Sequence, residues 1–171
     1  MSETCIEESR LATAELSLGS LLSPGAWRPA LPPEVNPRQI GDELWSDAFD
    51  KDQLDDRPLY WQRLILSQYL KELGAESSDL LEFELASRGM LGNQFSGGAT
   101  YRVLVTGFDP FHLDDYIEQG NPSGVVALQH QHKQIALGAG RAEIRSMIFP
   151  VRYKDFDEFL VERVLETFTD K

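Results

Sequence analysis

The sequence predicts an α/β domain preceded by an acidic, mainly helical extension, and three observations carry that expectation. Near Thr100 the apolar pattern changes from helical spacing to short β-branched runs. Beyond that point the order strand, loop, helix, strand, helix is the opening of an α/β domain. Charge divides at the same place: residues 1–99 hold 17 acidic and 8 basic side chains, residues 100–171 hold 11 and 8. The expected division is a helical extension over 1–99 and an α/β domain over 100–171.

Within the extension, Thr4 to Leu18 has the pattern of a short helix. Pro24, Pro29, Pro32, Pro33 and Pro37 then prevent regular structure, since each removes a backbone donor and fixes φ. "RQIGDELWSDAFDKDQL" reads as a helix with Ile40, Leu44, Trp45 and Ala48 along one side. "RPLYWQRLILSQYLKELG" carries the strongest helical periodicity, in Leu59, Tyr60, Leu64, Leu66, Leu70 and Leu73. Pro58 suits its first turn and Gly74 its C-terminal cap. "SSDLLEFELASRGML" offers an N-cap at Ser77 or Ser78. "GNQFSGGA" reads as a linker. Trp27, Trp45 and Trp61 are the bulky apolar residues here, suited either to packing on the neighbouring domain or to a groove or lid.

Arg102 to Thr106 reads as a strand covered on both faces. Asn121, Pro122 and Ser123 start a helix expected to run through "SGVVALQHQHKQIAL". "GAGRAE" turns the chain into a second strand, "EIRSMIF", stopped by Pro150. "YKDFDEFLVERVLETF" is amphipathic, with Phe156, Phe159, Leu160, Val164 and Phe168 on its apolar side.

The chain has 171 residues and a net charge of −12. It has no basic run, which excludes nucleic acid and anionic membranes as partners, because both are gripped by clustered Lys and Arg. The single cysteine, Cys5, makes no internal disulfide and lies beside Glu7 and Glu8, which disfavour a thiolate. "MSETCIEESR" lacks the basic start and apolar run of a signal peptide, and no stretch reaches the ~20 apolar residues of a membrane span. A cytoplasmic location follows as the expectation.

In open α/β sheets, ligands bind beyond the carboxyl ends of the strands, where "TGFDPF" falls. Gly107 permits a sharp turn, and Pro110 stiffens the backbone between Phe108 and Phe111. The two rings either cover the top of the sheet or bracket a flat, weakly polar group. Phosphate-binding glycine spacings are absent. His130 and His132, two apart on the expected helix, point to different faces and do not chelate a metal well. "DKDQLDD" lacks the glycine and closing Glu of a calcium loop and reads as a solvated charge run. No metal and no cofactor are expected.

"VLVTGFDPF", "NPSG" and "FPVRY", in that order, resemble the N-terminal part of the pyroglutamyl peptidase (pyrrolidone-carboxylate peptidase) family over about 101–168. The resemblance implies the N-terminal part of a three-layer α/β/α sandwich, here a partial domain. It also implies a cysteine-peptidase mechanism that removes N-terminal pyroglutamate from peptides. Phe108 and Phe111 would form the substrate pocket for the lactam ring. His112 stands where that family commonly has glycine. The family's catalytic Glu, Cys and His lie downstream of the matched segment, so the expectation is a chain without catalytic residues and without peptidase activity. Its partners would be a pyroglutamyl peptide and a protein partner or missing C-terminal half. The alternative is a non-enzymatic module for interaction or small-ligand binding.

Overall fold

The computed structural model describes residues 10–11, 36–50 and 55–169. The expected Thr4–Leu18 helix, the proline-rich segment before Asn36, Trp27 and Cys5 lie largely or wholly outside them.

Among the described residues, the front of the chain holds the helices α1 Pro37–Asp50, α2 Arg57–Glu72 and α3 Ser77–Ala86. Asn36 caps α1, its Oδ1 accepting from Gln39 N–H at 3.2 Å. α2 buries Leu59, Tyr60, Trp61, Arg63, Leu64, Leu66 and Leu70, so it runs through the core, while Leu73 is exposed at its end. Gly74 follows with φ 84, the left-handed geometry that ends helices. α3 starts at Ser77, one residue earlier than a Ser77 cap would place it and two earlier than a Ser78 cap. Glu76 is the N-cap, in a reciprocal capping box with Asp79.

The back holds β1 Tyr101–Phe108, α4 Pro122–His130, β2 Gln134–Leu137, β3 Gly140–Phe149, α5 Tyr153–Asp157 and α6 Leu160–Thr169. The three strands form one mixed sheet in the order β1-β3-β2, with β1 parallel and β2 antiparallel to β3. The class is therefore α/β.

Three expectations are corrected. The helix beginning at Pro122 ends at His130 instead of reaching Leu137, and Gln134–Leu137 forms strand β2. The cause is Gln131. Its buried Oε1 accepts from Ser146 N–H on β3 at 2.6 Å, and Ile144 N–H donates to Lys133 C=O, so the chain must extend alongside β3. The final helix is broken at Phe159, whose φ of 60 separates α5 from α6. Finally, "GNQFSGGA" is tied down. Ser96 N–H and Oγ both donate to Glu143 on β3 at 2.9 Å, and Asn93 Nδ2 donates to Ser146 C=O at 2.7 Å.

Successive residues of β3 point to opposite faces of the sheet. Ile148 packs with Leu44, Trp45, Leu59, Leu66, Leu70 and Phe83 of the front helices and with Ala127 and Leu128 of α4. Met147 and Phe149 pack instead with Met90, Leu160 and Val164. Front and back thus share one apolar cluster through Ile148. Among the described residues, no helix is long and apolar enough to cross a membrane.

Candidate functional site

The loop that ends β1 is fixed from three directions. Gly107 is required by close approach: a Cβ there would lie 2.4 Å from Ser123 O at the start of α4. Phe108 N–H donates to Ser123 Oγ at 3.1 Å. Asn121 caps α4, its Oδ1 accepting from Ser123 N–H at 3.1 Å, while its Nδ2 donates to Asp109 C=O at 3.0 Å.

Asp109 is the hub. Its carboxylate is 3% exposed and accepts from Arg63 Nη1 of α2 at 3.0 and 3.2 Å and from Arg88 Nη1 at 2.6 Å. Its N–H donates to Phe149 C=O at the end of β3 at 2.9 Å. Arg63 continues to Ser87 Oγ and C=O, at 3.0 and 3.2 Å. Arg88 reaches Glu84 at 3.2 Å; Glu84 also pairs with Arg152, which binds Asp155 at 2.7 Å. Three guanidiniums and three carboxylates alternate through a mostly buried network.

Such a network persists only because each charge meets an opposite one. Burial, followed by the neighbouring Arg88, pushes Arg63 below its usual pKa despite Asp109. Burial would raise Glu84, but Arg88 and Arg152 outweigh it and hold the carboxyl below its usual range. Asp56, just before α2, is also buried, and both its oxygens accept from Asn121 N–H, at 3.1 and 3.0 Å. Burial pushes its pKa up to about 6. Asp56 thus departs from the solvated charge run expected over 50–56.

The two predicted site residues sit on this fixed loop and are 40% and 41% exposed. Phe108 packs against Phe149 and Phe156 at centroid distances of 6.1 Å each, and those two lie 6.0 Å apart. The ring neighbour of Phe111 is His112, at 5.0 Å. Phe108 ends β1 and Phe111 lies on the loop beyond it, each with its own ring neighbours. His112 holds φ 59, a left-handed geometry that favours glycine. His130 Nδ1 bonds Val126 C=O at 2.8 Å, and His132 stacks on Phe49 at 5.1 Å, outside α4. Among the described residues, no group of three His, Cys, Asp or Glu is placed to hold a metal.

Sequence reasoning missed Arg63, Arg88, Asp56 and the role of Asp109. One signal was present: Arg63 occupies the apolar stripe Leu59, Leu66, Leu70 of α2, where a charge requires a buried partner.

The comparisons point away from the peptidase resemblance. A family described as the C-terminal domain of PA0049 matches residues 102–170. The chain is 31% identical to "Uncharacterized protein PA0049" of Pseudomonas aeruginosa over 158 residues, which cover 73% of this chain and 29% of that protein. The chain thus spans under a third of the length of the relative it matches. No solved structure matches. Nothing in these matches is a pyroglutamyl peptidase, and the resemblance is corrected accordingly. The short motifs behind it have local physical explanations: Gly107 is set by helix contact, "NPSG" by the Asn121 cap, and Asp109 by its arginines.

Proposed function

We propose that this chain is a small-ligand-binding module whose ligand rests on the aromatic rim at the carboxyl ends of β1 and β3. One observation carries the reading. Phe108 and Phe111 keep about two-fifths of their surface exposed on a loop held by the buried Arg63–Asp109–Arg88 contacts. Apolar rings left to collapse would be covered, whereas rings on a fixed backbone present their faces at little further entropic cost. The fitting ligand is a flat, weakly polar group, with Phe149 and Phe156 extending the apolar floor beside Phe108.

The location supports the reading, because the carboxyl rim of a parallel strand pair is where α/β sheets bind ligands. The division of β3 side chains between two clusters supports a three-layer α/β/α arrangement around the sheet. A cytoplasmic setting belongs to the same reading.

Ring contacts contribute about 0.5–1.5 kcal/mol each, so a fragment-sized probe is expected to bind in the millimolar range. Titrating benzamide into the isotope-labelled chain should shift the amide signals of Gly107, Phe108 and Phe111. Phe108→Ala should abolish those shifts. Perturbations confined to other surfaces, or unaffected by Phe108→Ala, would remove the basis for the proposal.

A further inference from the structure

The segment after β3 is one amphipathic run in sequence and two helices in space. "YKDFDEFLVERVLETF" carries Phe156, Leu160, Val164 and Phe168 at steps of four, the spacing of a single apolar helix face. The structure nevertheless ends α5 at Asp157 and begins α6 at Leu160. Glu158 stays close to helical geometry at φ −90 and ψ 17, so the break falls on Phe159, at φ 60. A left-handed backbone suits glycine and strains a bulky residue. Such strain persists only where the surroundings impose it.

The surroundings differ on the two sides of Phe159. α6 is anchored, with Leu160 and Val164 buried against Met90, Met147 and Phe149. α5 has no buried residue. It is held through the Phe156 ring, 6.1 Å from Phe108 and 6.0 Å from Phe149, and through the Arg152 pairs with Glu84 and Asp155. The Phe159 ring, 64% exposed among the described residues, does little to impose its own backbone angle.

We propose that Phe159 is the hinge of a two-state element. In the state described, α5 seats Phe156 on Phe108 and Phe149. In the other, Phe159 turns right-handed, α5 comes into line with α6, and Phe156 leaves Phe149. Pro150, Val151 and Arg152, which join β3 to α5, absorb the movement. Ring contacts and ion pairs favour the first state. Relief of the left-handed angle and one continuous helix favour the second. The element thus closes and opens the aromatic rim at the ends of β1 and β3. It goes beyond the ligand reading, because the backbone sets it whether or not a ligand rests on the rim.

Two substitutions at Phe159 push the balance in opposite directions. Phe159→Gly removes the strain and disfavours helix, so it should lower the population of the in-line state about fivefold or more. Phe159→Ala keeps the strain but favours helix, so it should raise that population. Amide spectra and relaxation dispersion of the isotope-labelled intact chain read the outcome at residues 153–156 and at Phe149. If exchange is fast, wild-type signals should fall between those of the two variants. If it is slower, dispersion seen in wild type should shrink in the glycine variant and grow in the alanine variant. Thermal unfolding verifies that both variants fold, and if one does not, the other decides against wild type. Signals and dispersion that coincide in all folded forms overturn the proposal. So do changes in the same direction for both variants.

Discussion

Asp56, the N-cap of α2, and Arg63, seven residues further on within that helix, hold two flanks of the loop that ends β1. Asp56 accepts the Asn121 N–H, and Arg63 donates to Asp109. One helix of the acidic front thereby fixes both the start of α4 and the turn carrying Phe108 and Phe111.

Removing Asp109 tests that clamp. Asp109→Ala leaves Arg63 and Arg88, both 3% exposed, without their shared carboxylate. An uncompensated buried charge costs about 3–5 kcal/mol. Urea unfolding should register a loss of that size. Arg63→Met in the Asp109→Ala background should recover part of it, because it removes the orphaned charge.

Asp56 makes stability depend on pH. Its pKa rises from 3.8 to about 6 on folding, so the folded chain binds its proton more tightly than the unfolded chain does. Its contribution is greatest below pH 3.8, falls as pH rises toward 6, and is level above that. Asp56→Asn keeps an acceptor for Asn121 without the ionisation. Relative to wild type it should gain up to about 2 kcal/mol between pH 4 and pH 7, allowing for solvent screening. Glu84 has the opposite sign: its depressed pKa contributes stability above its ordinary 4.5, which is lost as pH falls. A wild-type minus Asp56→Asn difference that is flat over this range would refute the assignment.

Gly107 and Gly97 should behave in opposite ways. A Cβ at Gly107 meets Ser123 O at 2.4 Å, whereas at Gly97 nothing lies within 4 Å. Gly107→Ala should destabilise by about 1–3 kcal/mol through forced displacement of α4. Gly97→Ala should be close to neutral. Melting temperatures of the two variants make the comparison.

Gln131 offers a local readout. Its Oε1 accepts from both Ser146 N–H and Ser146 Oγ, at 2.6 and 3.1 Å. Gln131→Ala strands a buried amide at a cost of about 1–3 kcal/mol. Hydrogen exchange at Ser146 should accelerate more than exchange at Val105, its register partner on β1.

Local chemistry decided what could be read in advance. Helices 37–50 and 57–72 were marked by apolar spacing and by Pro58 and Gly74, and β1 by its β-branched run. β2 was hidden because "QIAL" continues the apolar character of the preceding helix, and only the buried side chain of Gln131 redirects the chain. No glycine or proline marks the break at Phe159. Phe108 and Phe111 were legible from the stiff turn between them. The partners of Asp109 were not, because Arg63 lies 46 residues away and no local pattern links the two.

The order of synthesis gives the Asp109 contacts a kinetic meaning. Arg63 and Arg88 leave the ribosome before the carboxylate that neutralises them, so the front helices cannot close dry around Arg63 until the first strand has emerged. Nascent helices 57–86 are consequently committed to wait, and a chain stalled short of residue 109 would present an open, hydrated core to the chaperones around it.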